Sequence, residues 1–290
     1  MRMLLHACCG PCSLEPSRIL SSQGHDLTIF YANSNIAPAE EYEHRRETLR
    51  TWAGQAGITV QEGEYDQGAW ERTAGRIGAA AVADARDKLL QDAARKGAAT
   101  LPGDCADVEA AQGFGAFGAL TLDEAAAISV DPEKRAARCR ACYRLRLEEA
   151  ARCAAAQGFE ALSTTLAVSP YQYSDIICEE LKRAAAQAGV QAVFEDFRPF
   201  YPEATRRSRE LGMYRQNYCG CLPSHAEASA ERAERKAQRK AQQAAERAAH
   251  ADAHAAEKAR LEARKAERAA YDKKQARKRA ILKALRESGK

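Results

Sequence analysis

Residues 3–12 read Met-Leu-Leu-His-Ala-Cys-Cys-Gly-Pro-Cys, and this stretch decides the fold. Met3–Ala7 is a short apolar strand, too short to cross a membrane. Three cysteines, Cys8, Cys9 and Cys12, follow at once, and the pattern then predicts a helix over Ser13–Ser22. A strand that runs straight into a helix is the opening unit of a parallel α/β sheet. In such sheets ligands bind in the crevice at the carboxyl ends of the strands. A nucleotide-binding chain would place a glycine-rich phosphate loop there. Cysteines in that position point to metal instead.

Working outward, the alternation continues. Strands are expected at Asp26–Ala32 and Ile58–Glu64, with a helix over Glu40–Ala56 between them. After an interruption come a helix over Cys139–Gln157, a strand at Ala161–Val168, a helix over Ser174–Ala188 and a strand at Val190–Asp196. Five strands alternating with helices imply right-handed crossovers and a Rossmann-like α/β fold, a parallel sheet flanked by helices. The interruption, residues 73–133, is rich in Ala and Gly and reads as an insertion with one or two helices around Ala80–Lys96. Cys105 within it reads as a free thiol. The expected organisation is therefore a domain over 1–225 and an extension over 226–290.

Beyond Pro223 the composition changes to Ala, Lys, Arg, Glu and Gln, with no further Gly or Pro until Gly289. These are strong helix formers, but no heptad seam of large apolar residues supports a coiled coil. The extension reads as a solvated or partly disordered helix. The net charge of +4 hides an asymmetry: residues 226–290 carry 19 Lys/Arg against 10 Asp/Glu, and residues 1–225 carry 25 against 30. A basic arm on a mildly acidic body suits a polyanionic partner.

Mean hydropathy is −0.53 and hydrophobic residues make up 46% of the chain. Neither a membrane span nor a secretory signal is recognisable, so the expected location is cytoplasmic and no membrane partner is expected. Ten cysteines in a reducing compartment argue for metal binding or redox chemistry over a disulfide framework. Seven fall in three clusters: Cys8, Cys9 and Cys12; Cys139 and Cys142; Cys219 and Cys221. The second pair is expected at the start of a helix, where N–H dipoles favour thiolates. In the third, Gly220 lets the backbone turn tightly around a ligand. Four thiolates serve one zinc or one cubane. Seven suggest a cluster plus a second metal, or a cluster plus redox-active thiols able to form a disulfide bond. Cys153 is expected to pack against the sheet, and Cys178 to be an ordinary buried thiol.

In its motifs the chain resembles the epoxyqueuosine reductases of the QueH family. The matching pieces are Leu4-Leu-His-Ala-Cys-Cys-Gly-Pro-Cys12, Tyr31-Ala-Asn-Ser-Asn-Ile-Ala-Pro38 with Glu41, Tyr42 and Arg45, and Arg138-Cys-Arg-Ala-Cys-Tyr143 with Arg146 and Leu147. Ser163-Thr-Thr-Leu166, Ser169-Pro-Tyr-Gln172 and Tyr214-Arg-Gln-Asn-Tyr-Cys-Gly-Cys221 complete the set. The resemblance implies a HUP-like Rossmann fold, a [4Fe–4S] cluster with a second mononuclear iron, and reduction of epoxyqueuosine to queuosine in tRNA with an external electron donor. It carries over Cys8, Cys9, Cys139, Cys142, Cys219 and Cys221 as cluster and metal ligands. Cys12, where many members have aspartate, is taken as a further metal ligand and catalytic thiol. Asn33-Ser-Asn35 replaces the family's Asn-Pro-Asn, and the insertion and basic tail lie outside the family core.

Removing the epoxide oxygen takes two electrons and two protons and releases water. His6, Glu41 and Tyr42 are the proton-donor candidates by their position near strand ends. Without that role, His6 would be a hydrogen-bonded core residue and Glu41 a solvent-facing partner of Arg45. Tyr171, Tyr173 and Tyr214 are candidates for stacking on an extruded base, and Arg206, Arg207 and Arg209 for gripping phosphate. The competing readings are a zinc-stabilised RNA-binding module, an ATP-dependent tRNA-thiolating enzyme and a thiol–disulfide oxidoreductase. The first predicts zinc and no chromophore. The second lacks its pyrophosphate loop, and the third leaves five clustered cysteines idle.

Overall fold

A computed structural model describes residues 1–78, 80, 91, 95 and 131–288. In chain order these form β1 (Arg2–His6), α1 (Gly10–Ser22), β2 (Asp26–Tyr31), α2 (Ala39–Gln55), β3 (Thr59–Glu62) and α3 (Gln67–Trp70), which runs into a π-helical turn at Glu71–Gly75. Then come α4 (Pro132–Ala156), β4 (Ala161–Thr164), a 3-10 turn at Thr165–Val168, α5 (Ser174–Ala188), β5 (Gln191–Ala192), α6 (Tyr201–Glu210) and α7 (Leu222–Ser288). The sheet has the order β3-β2-β1-β4-β5, and every pairing is parallel. The Rossmann-like expectation is met. The strand order reverses beside β1, which makes its carboxyl end the topological switch point.

Helices cover both faces of the sheet, so the central strands are apolar throughout rather than alternating. Met3, Leu5, Ile29 and Tyr31 pack with Leu20, Leu49 and Ala53 on one face. Leu4, Phe30 and Leu162 meet Leu147, Ala150 and Ala151 of α4 and Ile177 and Leu181 of α5 on the other.

Local chemistry moves several boundaries from their expected places. Helix α4 starts at Pro132, because the Asp131 side chain accepts from the Glu133 amide at 2.8 Å and Pro132 suits the first turn. Cys139 and Cys142 therefore lie about two turns inside the helix, not at its dipole-rich start. β4 ends at Thr164, whose hydroxyl accepts from the Leu166 amide and closes the 3-10 turn. β5 is reduced to two residues. Cys178 is half-buried rather than buried. Most of the insertion over 73–133, Cys105 included, lies outside the described residues.

The chain divides into two units, Met1–Glu231 and Arg232–Lys290. The sheet belongs to the first. In the second, the described residues continue α7, and nearly all their described side chains are exposed. No helix among the described residues is long and apolar enough to cross a membrane.

One buried carboxylate ties α4 to α5. Glu180 accepts hydrogen bonds from Arg144 at 3.0 Å, Arg140 at 3.1 Å and Arg183 at 2.8 Å. Burial pushes its carboxyl up, but hydrogen bonds from Arg144, Arg183 and Arg140 outweigh that and hold it down at about 2. Glu180→Gln is expected to cost about 2–3 kcal/mol, the scale of charge-assisted hydrogen bonds. Because the folded-state value is depressed, the ionised carboxylate's contribution is complete above the ordinary value of 4.5 and is lost as pH falls towards 2. Urea unfolding of wild type and variant should show a constant gap between pH 6 and pH 8 that narrows below about pH 4.5. A gap independent of pH would show that the charge is not what matters.

Candidate metal–sulfur centre

The first cysteine group sits at the switch point. Cys9 is the residue before α1, with extended backbone, and its side chain makes no cap to the helix. The sulfurs of Cys8, Cys9 and Cys12 lie within 4.8 Å of one another. Among the described residues this is the one group of three ligand-type side chains at that spacing. Thr165 steadies it from the turn after β4: its hydroxyl accepts from the Cys8 amide at 3.2 Å and lies 3.6 Å from the Cys8 sulfur. Gln216 donates to the Cys9 sulfur at 2.8 Å. Hydrogen bonds from the Cys12 and Cys9 thiols hold Cys8 well below the ordinary thiol value, with the Arg146 guanidinium adding to this. Burial pushes Cys9 up to about 12. Cys12, the donor to Cys8, is raised. The shifts make Cys8 the most acidic thiol of the three.

The second group combines α4 with the loop before α7. Cys139 and Cys142 lie three residues apart, on one helical face. Cys142 and Cys221 pack together against Trp70 and Ala74. Burial raises Cys139 and Cys219 to about 12, and the neighbouring sulfurs of the group add to this. These four thiols are close enough to feel one another but do not converge as the first three do. A cubane holds its four thiolates further apart than a single ion would, because irons and sulfides stand between them.

Three arginines enclose both groups, and they are the largest fully buried side chains among the described residues. Arg45 bonds Glu41 at 2.7 Å and the Cys219 carbonyl at 2.8 Å. Arg138 forms a two-pronged pair with Glu227 at 2.6 and 2.9 Å and lies 3.8 Å from the Cys139 sulfur. Arg146 differs from both. Its partners are the Ala32 carbonyl at 3.4 Å, the Asn33 side-chain oxygen and the Cys142 sulfur, and it has no carboxylate partner among the described residues. Burial pushes this guanidinium toward neutrality, but the sulfurs of Cys142, Cys8 and Cys219 more than reverse the effect. An unpaired buried cation is costly, so the site calls for negative charge on its sulfurs.

The remaining candidates occupy distinct places. His6 is fully buried, with Nδ1 2.9 Å from the Thr164 hydroxyl and Nε2 3.2 Å from the Ala32 carbonyl. Burial, with Arg146 nearby, lowers it to about 3, so it is neutral. Tyr42 is buried and stacks on Tyr65 with ring centroids 3.9 Å apart. Glu41 and Arg45 form a buried pair rather than a solvent-facing one, because α2 turns this face onto the third cysteine loop. The phenol of Tyr214 donates to Glu41. Tyr171 and Tyr214 are exposed, and Tyr173 is half-buried. Arg206 is engaged by Glu203 and Glu210 of its own helix, and Arg207 ties α6 to buried Glu15 of α1.

The sequence reading gave no role to Arg138, Arg146, Gln216 or Trp70. The signal at 146 was register: it shares a face with Cys142, Tyr143, Leu147 and Ala150, where α4 is otherwise apolar and buried. Trp70 carries a buried indole N–H with no hydrogen-bond partner, beside Cys142 and Cys221.

A parallel α/β sheet whose switch-point crevice holds buried thiols and guanidinium groups, in place of a phosphate loop, defines a Rossmann-like protein with a sulfur-ligand site. The particular family follows from comparison: the model for epoxyqueuosine reductase QueH matches residues 3–87 and 121–227, and the chain belongs to that family. An epoxyqueuosine reductase from Thermotoga maritima is 31% identical over 78% of this chain and 95% of its own. Another, from Dehalococcoides mccartyi, is 24% identical over 78% of this chain and 93% of its own. A crystal structure of a predicted subunit of tRNA methyltransferase from Methanocaldococcus jannaschii covers 72% of this chain and 75% of its own, at 14% identity and a TM-score of 0.36. That likeness is too slight to bear on function.

Gly220 is where backbone freedom is required. Its φ is +140°, and an added Cβ would lie 2.9 Å from both the Asn35 amide nitrogen and Ile36 Cγ1. Its carbonyl also accepts from the Ala37 amide at 2.9 Å. Gly220→Ala is expected to displace Cys219 and Cys221, lowering the melting temperature by several degrees through a strain of about 1–3 kcal/mol. Unchanged thermal unfolding would show that the loop accommodates a side chain.

Proposed function

We propose that this chain reduces epoxyqueuosine to queuosine in tRNA, using an iron–sulfur centre held by its clustered cysteines. Family membership supports the reaction and the substrate. The observation that carries the centre is Arg146, a buried guanidinium set among the sulfurs of both cysteine groups without a carboxylate. The residues fit a [4Fe–4S] cluster in two further respects. The four thiols Cys139, Cys142, Cys219 and Cys221 feel one another's charge, and Trp70, whose buried indole N–H has no hydrogen-bond partner, packs against Cys142 and Cys221. Cys8, Cys9 and Cys12 would hold the second iron. When bound, the metals supply electrons one at a time and a Lewis acid for the epoxide oxygen.

The chain's own groups supply the rest. Two electrons come from an external donor, and two protons convert the departing oxygen to water as the alkene forms. Tyr214 is the best placed proton donor. Its phenol, pushed up to about 12 by burial and by its hydrogen bond with Glu41, stays protonated at neutral pH. It lies two residues from Gln216, which touches Cys9. Glu41 orients it. His6 acts by position instead, joining β1 to Thr164 and to the end of β2 as a neutral ring. Tyr42 of α2 stacks on Tyr65 and so has a packing role. Exposed Tyr171 remains available to an extruded base. The nine described cysteines are all free, which suits a cytoplasmic setting.

Protein purified without oxygen should contain iron and acid-labile sulfide, absorb broadly in the visible, and convert epoxyqueuosine tRNA when given a reductant. Cys139→Ser and Cys219→Ser should abolish both colour and turnover. Arg146→Met, which keeps volume but removes the cation, should retain less iron per chain. Zinc alone after anaerobic reconstitution would overturn the proposal in favour of a structural RNA-binding module.

A second outcome separates the proton donor from the metal site. Tyr214→Phe should keep full iron content while turnover falls by about 10²-fold or more, the scale of general acid catalysis. Undiminished turnover would remove Tyr214 from the mechanism.

A further inference from the structure

The family match ends at residue 227, yet α7 continues to Ser288. At 1.5 Å per residue the part beyond Arg232 is roughly 85 Å long. Among its described side chains beyond Arg232 there is no apolar stripe to dock on another helix. Its exposed large hydrophobics, Leu261, Tyr271 and Ile281, recur every tenth residue and so fall on different faces. A helix that is polar all round is ordinarily steadied by opposite charges four residues apart. The middle of α7 follows that rule, with Lys258 before Glu262 and Arg268 before Asp272.

Its two flanking blocks concentrate like charge instead, although Glu231 stands four residues before Arg235 in the first. In the first, Arg232, Arg235, Lys236, Arg239 and Lys240 fall at i, i+3, i+4, i+7 and i+8, one face of the helix. In the second, Lys273, Lys274, Arg277, Lys278 and Arg279 come within seven residues that include no acid. All ten of these side chains are exposed. Like charges four apart, as in Lys236/Lys240 and Lys273/Arg277, disfavour an isolated helix. A polyanion removes that penalty and turns it into attraction. The blocks are centred roughly 60 Å apart along the helix, too far for one small anion to serve both.

We propose that α7 beyond Arg232 is a tRNA-binding arm, whose two cationic blocks engage phosphates of the substrate tRNA. This rests on the reading of tRNA as substrate. It adds a sequence-independent contact that raises substrate affinity without entering the chemistry. Phosphate contacts of this kind position a nucleic acid and make its binding steeply dependent on salt.

The test uses the full chain in two variants, Lys236/Arg239/Lys240→Gln and Lys273/Lys274/Arg277/Lys278/Arg279→Gln. Glutamine preserves helix propensity, and circular dichroism checks the fold. The dissociation constant for tRNA, with and without epoxyqueuosine, is measured against salt concentration. The five-fold variant should bind roughly tenfold or more weakly at 0.15 M salt, and its log–log salt slope should shrink by about 3–4. The three-fold variant should lose about 2–3 from the slope. KM for tRNA should rise in both, with kcat and iron content unchanged. Unaltered affinity and slope would overturn the proposal. So would loss of binding to phosphatidylserine vesicles with tRNA binding intact, which would assign the arm to a lipid surface. Arm-dependent tRNA binding in a protein that fails to reduce epoxyqueuosine would refute the reductase and leave the arm standing.

Discussion

The Arg146 guanidinium, buried among thiols, is the constraint around which the candidate centre is organised. It reaches from α4 to the end of β2, where the Ala32 carbonyl and Asn33 receive it. The same carbonyl meets His6, and Asn33 donates onward to the Ala7 carbonyl at 2.9 Å. Burial is what keeps His6 neutral, and the cation adds to it; the cation likewise adds to the hydrogen bonds from Cys12 and Cys9 that lower Cys8. Without negative sulfur nearby it would be an uncompensated buried charge, one of the few single features able to destabilise a domain severely.

Arg45 and Arg138 extend the same logic to the third cysteine loop. Each pairs with a carboxylate and turns its remaining reach on that loop or on a sulfur: Arg45 holds the Cys219 and Tyr218 carbonyls, and Arg138 lies beside Cys139. The loop itself is closed by Gly220, whose backbone no other residue adopts cheaply. Rigid scaffolding of this kind suits a centre whose ligands come from three distant parts of the chain. Burial raises Cys9, Cys139 and Cys219. Thiol ligands must lose their protons to bind metal, so loading of the proposed centre would be coupled to proton release.

Element type was legible because period and punctuation are local. The strand–cysteine–helix opening, the alternation that followed and the α5 boundaries were all readable from spacing. The start of α4 lies in a capping signal, Asp131-Pro132, about two turns before the cysteine pair. Its consequence is physical: Cys139 gains no help from a helix dipole and is raised by burial instead. Glu41 and Arg45 looked like a surface pair because i,i+4 spacing is the same on either face of a helix. Only packing against the Cys219 loop shows which face is inside. Arg206 and Arg207 were similarly ambiguous until Glu203, Glu210 and Glu15 were seen to engage them.

The sequence by itself determined the parallel α/β class, the family and the cysteines that belong together chemically, because residue type, order and period survive without coordinates. Tertiary structure decided which groups share an environment. It set Cys8, Cys9 and Cys12 within 4.8 Å of one another, brought Trp70 onto Cys142 and Cys221, and buried Arg146 among thiols. Dielectric and charge pairing act through space, and residues 6, 32, 146 and 219 become neighbours only when the sheet closes.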